Sequence, residues 1–348
     1  MKILIISGGE IPVPPIEYGG TERIAHNLCN SLMNRRFHIN LLAGKGSKIY
    51  SGKTLNYRNY RFGTSFLGRC YSWIECQTQC MRLIQGVDLI HSFVCWPEHF
   101  YFLNKIKKPI LYRQANTPKK SDFERIMKVN PSYGYLQCIS NHQISQIEIT
   151  DPKKAFVTYN CVDTDFFKKE NINKEDFLLY LGRLNYEKGI DVAVRLSRES
   201  GVPLKIAGPV RLGEKGALKL FKESVEPFLS DHIEYVGSVN DLEKRSLLSK
   251  AKALIVPNRW DEPFGIMNIE ALACGTPIIA TNKGSLREII IEGKTGILCD
   301  NYGELLDAIK NVDHLSEKCC RKDAEERFSL NTYIDQTEKI YKVILKGE

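Results

Sequence analysis

The chain has 348 residues, 43% of them hydrophobic and 26% charged, with a net charge of +8. That length exceeds what one hydrophobic core usually serves and predicts two domains of roughly 150 to 180 residues. The composition excludes a disordered or low-complexity chain, and no internal repeat is visible.

The first residues, MKILIISGG, make too short an apolar run for a signal peptide and read as a buried strand. HINLLAG at 38–44 reads as the next strand, and the helical pattern from Thr21 to Asn34 between them completes a β-α-β unit. Further strand-like runs at VDLIHSF, PILYRQ, YLQCIS and AFVTYN give the first half a parallel sheet. After KKENINKEDF the pattern restarts with LLYLGRL, PLKIAG, HIEYVG, ALIVPN and TPIIAT, separated by helical segments at 189–200, 213–228, 241–250 and 264–274. A second doubly wound domain is therefore expected, with the linker near 165–176. The last pattern is a helix from about Tyr333 to Leu345 with Ile334, Ile340, Tyr341 and Ile344 apolar. Two such domains would face each other across a central cleft at the carboxyl ends of their strands, where open α/β sheets bind ligands.

Charge divides unevenly. Residues 1–160 hold 21 Lys+Arg against 10 Asp+Glu, net +11, and residues 161–348 hold 28 against 31, net −3. The densest basic stretch, KIKKPILYRQANTPKKSDFERIMK, points to an anionic partner or to a solvated basic surface. No stretch approaches the roughly 20 apolar residues of a spanning helix. A cytoplasmic protein is expected, peripheral contact with an anionic membrane staying open. The eleven cysteines are scattered, which favours reduced thiols over a disulfide framework. Cys76 with Cys80 and Cys319 with Cys320 lack zinc-site spacing, and no metal site is expected.

The stretch RWDEPFGIMNIEALACGTPIIATNKGS, from Arg259 to Ser285, carries the chemistry. Glu262 falls just before a helix and Glu270 in its second turn, which separates their backbones by roughly 10 Å. That spacing suits two grips on one extended ligand better than an acid-base pair, although side-chain reach leaves the pair open. The helix start offers backbone N–H groups from Phe264 onward to an anion, and Gly265 admits close approach. Taken alone, Glu262 could equally charge a helix N-terminus and Glu270 a solvated face. In LGRLNYEKGID a strand ends at Leu181, and Gly182, Arg183 and Lys188 enter the next loop; a planar fork beside a point charge suits a diphosphate. In EYGGTERIAHNL, Tyr18, Gly19 and Gly20 open a helix whose first turn holds Thr21 and Glu22, a weak phosphate or sugar signal that is not G-x-G-x-x-G.

Together these segments resemble the retaining glycosyltransferases of family 4, over nearly the whole chain: YGGTER, YNCVDTDFF, GRLNYEKGID, IAGP, EYVGSV, EPFGIMNIEALACGTPIIAT, EGKTGIL and RFSLNTYIDQTEKIY. The resemblance implies the GT-B fold, two Rossmann-like doubly wound parallel-sheet domains. It assigns 1–165 to the acceptor and 170–332 to the donor, with the C-terminal helix, 333–348, returning to the first domain. It implies transfer of a hexose, with retention and without a metal cofactor, from a nucleotide-diphosphate sugar, UDP-glucose first and GDP-mannose next. The acceptor would be a carbohydrate, a lipid-linked or a small-molecule hydroxyl; no nucleic acid is expected as a partner. By similarity Arg183 and Lys188 bind the diphosphate, Glu262 the sugar hydroxyls, Glu270 the ribose, and Gly182 with Phe264, Gly265 and Ile266 the donor, while Gly19 and Gly20 cap the phosphate. Where many relatives carry a histidine after the strand matching PILYRQ, this chain runs Arg113, Gln114, Ala115, Asn116. His91 and Asn116 stand as sugar or acceptor contacts, against a hydrogen-bonded structural role for His91. The competing functions are a nucleotide-sugar 2-epimerase and a non-catalytic nucleotide-sugar-binding protein.

Overall fold

The computed structural model describes residues 1–16, 19–57, 66–94, 107–210 and 216–346. Of the expectations above, Tyr18, Lys105 and Ile106 of the basic stretch, residues 213–215 and residues 347–348 lie outside these. The chain divides into two compact units, Met1–Asn160 with Leu330–Glu348 and Cys161–Ser329.

Among the described residues unit 1 is built on seven strands, β1 (Lys2–Ile6), β2 (His38–Gly44), β3 (Lys53–Tyr57), β4 (Leu89–Ser92), β5 (Ile110–Arg113), β6 (Gly134–Cys138) and β7 (Ala155–Val157). All pair in parallel, in the order β3-β2-β1-β4-β5-β6-β7. A parallel sheet is covered on both faces, so its central strands are continuous apolar runs; Ile3, Leu4, Ile5 and Ile6 of β1 are all fully buried. Helix α1 (Gly20–Asn34) buries Ile24, Ala25, Leu28, Cys29 and Leu32, a one-sided stripe at helical spacing. The C-terminal helix, Leu330–Lys346, belongs to this unit and buries Tyr333, Ile334, Thr337, Ile340, Tyr341 and Ile344. Arg35 at the end of α1 ties it down, 2.5 Å from Asp335 and 2.9 Å from Glu338.

Unit 2 has β8 (Leu178–Leu181), β9 (Leu204–Ala207), β10 (Ile233–Gly237), β11 (Ala253–Val256), β12 (Ile278–Thr281) and β13 (Gly296–Cys299), again all parallel, ordered β10-β9-β8-β11-β12-β13. The order reverses between β8 and β11, and the loops leaving their carboxyl ends open the crevice in which doubly wound sheets hold ligands. The helix after β8, Ile190–Ser200, packs with Tyr302–Asn311 in one core layer. The helix after β11, Ile266–Ala273, lies beside Asp241–Lys250 and Glu317–Phe328.

Two strands depart from the sequence reading. β3, KTLNY, is a half-polar edge strand, and β13, GILC, is four residues long behind a turn; neither has the apolar run that marks the interior strands. The segment expected as a linker, 165–176, packs on unit 2. Phe167 is buried under the Lys244 ammonium at 4.9 Å, and Arg245 pairs with Glu170 at 2.9 Å, so the segment is stitched onto unit 2.

Candidate active site

The site is built from the two loops at the reversal point of the second sheet. From β8 the chain runs through Gly182 and Arg183 to Lys188 and enters its helix at Gly189, a left-handed residue with φ 68°. A β-carbon on Gly189 would sit 2.0 Å from the Pro257 carbonyl oxygen, so only glycine lets this helix start press against the loop leaving β11. That contact brings Lys188 to Glu262. The ammonium meets Glu262 Oε2 directly, with the two residues 9% and 6% exposed. The same Oε2 accepts from Asn258 Nδ2 at 3.0 Å. Asn185 Oδ1 accepts from the Lys188 backbone N–H at 2.9 Å, and the Trp260 ring lies 5.2 Å from the ammonium.

The backbone of Glu262 is held equally firmly. Its carbonyl accepts from the Ser285 N–H at 3.0 Å, and a β-carbon on Gly284, where φ is 58°, would fall 2.5 Å from its nitrogen. Ser285 Oγ and Asn268 Nδ2 both donate to the Phe264 carbonyl, at 3.2 and 3.3 Å. The Phe264 ring is a core group, 6.0 Å from Phe328 edge to face, so only its backbone faces the helix start. Gly265 precedes the helix in the left-handed region, and among the described residues no side chain caps the helix. Its first N–H groups therefore lack a side-chain acceptor, and Ile266, the first helical residue, is half-buried beside them.

Glu270 sits four residues into that helix, 3% exposed, and accepts from Lys244 Nζ at 2.7 Å. Lys244 also lies 3.2 Å from Asp241. The two glutamates are thus held by different lysines. Arg183 is half-buried in the Lys188 loop, and its carbonyl accepts from Tyr180 Oη at 2.8 Å. Sequence reading missed Asn258, Trp260 and Lys244 as neighbours of the glutamates. Trp260 stands inside the quoted stretch and Asn258 ends the ALIVPN run just before it; Lys244 lies on another helix and has no sequence signal.

In unit 1, Gly19 precedes α1 without a side-chain cap, and a β-carbon there would meet Pro15 Cβ at 2.7 Å. Gly20 is the first residue of α1. His91 takes the hydrogen-bonded structural role set against a sugar contact: it is fully buried in β4 opposite Ile5 and Leu111, with Nδ1 2.7 Å from Tyr341 Oη and Nε2 2.9 Å from Gln137 Oε1. Both nitrogens are used, so His91 fastens the C-terminal helix to the sheet and offers nothing to a sugar. Burial, and then the nearby Arg113, push its pKa down to about 3. Asn116 is exposed, and its backbone links to Gln114 and Gln143. Arg113, the last residue of β5, is 1% exposed and bonded to Gln137 and Asn160.

Among the described residues no group of three or more His, Cys, Asp or Glu is placed to hold a metal, and no helix is long and apolar enough to cross a membrane.

Residues 162–329 match the family model of glycosyl transferases group 1. The chain is 26% identical to an uncharacterized glycosyltransferase of Methanocaldococcus jannaschii, over 95% of this chain and 97% of that one. Sucrose-phosphate synthase from Thermosynechococcus elongatus superposes with a TM-score of 0.83 at 16% identity, covering all of both chains. The Anabaena protein HepE, in complex with UDP and glucose, superposes with a TM-score of 0.77 at 17% identity, covering 98% of this chain and 99% of that one. The two structures carry the fold, GT-B. The family match and the Methanocaldococcus relative support a glycosyltransferase of group 1 type.

Proposed function

We propose that the chain is a retaining hexosyltransferase that takes a sugar from a nucleotide diphosphate in unit 2 and passes it to an acceptor hydroxyl held by unit 1. The observation that carries this reading is the buried Lys188–Glu262–Asn258 cluster at the reversal point of the second sheet, beside a helix start without a side-chain cap. A cation fixed there suits the negative charge that grows on a departing diphosphate, and low exposure strengthens its effect. Arg183 adds a planar fork to the same leaving group. Glu262, ionised against Lys188, accepts from sugar hydroxyls, and the N–H groups after Phe264 and Gly265 meet the sugar. Glu270, steadied by Lys244, takes the ribose.

Departure of the diphosphate leaves an oxocarbenium-like sugar, and the acceptor enters on the face just vacated. Arg183 and Lys188 neutralise the diphosphate, so the reaction is expected to survive EDTA. UDP-glucose is the first choice of donor, supported by the UDP and glucose bound to the Anabaena neighbour, and GDP-mannose is the second.

The test is release of UDP from UDP-glucose and of GDP from GDP-mannose in EDTA, with the anomeric configuration of the transferred sugar read by proton NMR. Inversion would refute the retaining mechanism, and activity abolished by EDTA would refute metal independence. The basic residues of unit 1 are further proposed to meet an anionic membrane. Vesicle binding that weakens with salt is expected, and salt-indifferent binding would refute it.

A further inference from the structure

The two contacts on Glu262 fall on one oxygen. Lys188 Nζ and Asn258 Nδ2 both meet Oε2, and Oε1 makes no hydrogen bond among the described residues. Lysine is a point charge on a flexible stem and pairs with a carboxylate oxygen without fixing the carboxylate's rotation. Asn258 differs: it is 2% exposed, stands two residues beyond the end of β11, and its own carbonyl accepts from Thr281 Oγ1 at 2.8 Å. With the Glu262 backbone pinned by Ser285 and Gly284, side-chain rotation is the freedom that remains.

We propose that Asn258 is a positioning residue that locks this rotation, so that Glu262 presents Oε1, and not Oε2, to the hydroxyl groups of the bound sugar. The inference rests on the reading of this cluster as a donor-sugar site. Asn258 Nδ2 donates to Glu262, so its loss is expected to act on the geometry of the sugar while the leaving group stays bound. The ion pair survives without it, because Lys188 still neutralises the carboxylate. A carboxylate in its place would remove the donor, repel Glu262 and compete for Lys188.

The test uses Asn258→Ala, Asn258→Ser and Asn258→Asp in the full chain, with melting temperature, the Kd for UDP by calorimetry, and kcat and KM for UDP release from UDP-glucose. Loss of one hydrogen bond to a charged group predicts a fall in kcat of about 10- to 100-fold in Asn258→Ala, with the Kd for UDP held within about twofold. Asn258→Asp is expected to fall further than Asn258→Ala. Asn258→Ser, which keeps a hydroxyl donor, is expected to lie between wild type and alanine, and it serves as the reading if the alanine form does not fold.

An alanine form with unchanged kcat, or one that loses UDP affinity in step with kcat and melting temperature, would overturn the positioning role while leaving the donor site standing. A wild-type chain that binds neither UDP nor GDP, with Lys188→Ala no different, would overturn the donor site and this inference together.

Discussion

His91 allows a calculation. Its folded-state pKa of about 3 lies below the ordinary 6.5, because burial first and Arg113 second disfavour the imidazolium. Gln137 Oε1 already accepts from Arg113 at 3.0 Å, so it also accepts from Nε2–H, and Nδ1 accepts from the Tyr341 hydroxyl. The neutral ring is therefore the native form. Above pH 6.5 the folded and unfolded chains carry the same proton count at this site and it is neutral to stability. As pH falls from 6.5 toward 3, the unfolded chain takes a proton that the folded chain refuses, and stability is lost. At ~1.4 kcal/mol per pH unit the full loss is about 5 kcal/mol, and at about pH 5 it is already about 2 kcal/mol.

The perturbation is His91→Asn, uncharged at every pH, followed by urea unfolding at about pH 7.5 and about pH 5. The variant is expected to be weaker at the higher pH, having lost at least one hydrogen bond. It is also expected to lose about 2 kcal/mol less than wild type between the two conditions. Equal losses in the two proteins would refute the buried neutral histidine. Because the comparison subtracts every other titrating group, the difference isolates this one.

Removing Lys188 leaves a buried carboxylate unpaired, so Lys188→Ala is expected to cost about 3–5 kcal/mol of stability as well as most turnover, read by urea unfolding and UDP release. A Lys188→Met, Glu262→Leu double variant should recover the stability but not the turnover; recovery of both would remove the pair from the chemistry. Lys244→Ala frees Glu270 and is expected to raise the KM for donor more than it lowers kcat, whereas a pure kcat defect would contradict the ribose assignment. Lys174 Nζ donates to Thr276 Oγ1 at 2.6 Å, and burial pushes its pKa down from 10.5 to about 8. Its charged form is disfavoured in the fold, so this group adds stability as pH rises from 8 toward 10.5, and its acetylation by trace acetic anhydride should reach half its maximal rate near pH 8. Labelling that rises only near pH 10.5, as for an ordinary lysine, would refute the shift.

Much of the fold was legible because parallel sheets buried on both faces write themselves as apolar runs. LLYLGRL, ALIVPN and TPIIAT contain such runs, and each overlaps an observed strand. KTLNY could not, since an edge strand buries little and half of it is polar. The motif loops were legible for a related reason: a loop after a buried strand in a doubly wound sheet lies where ligands bind. What the chain order hides is which groups meet across that reversal. Lys188 and Glu262 are 74 positions apart, and Lys244 and Glu270 are 26 apart. His91 left two roles open. A polar residue near a strand end reads as facing a cleft, but its register opposite Ile5 and Leu111 puts it inside the sheet.

The most direct test of the donor site is calorimetric titration of UDP, GDP, UDP-glucose and GDP-mannose into the wild-type chain and into Lys188→Ala, all in EDTA. One base is expected to bind the wild type at one site per chain, with binding weakened at least about tenfold in the variant through loss of a cation that meets the diphosphate. Absence of binding by any of the four, or binding indifferent to Lys188, would contradict it.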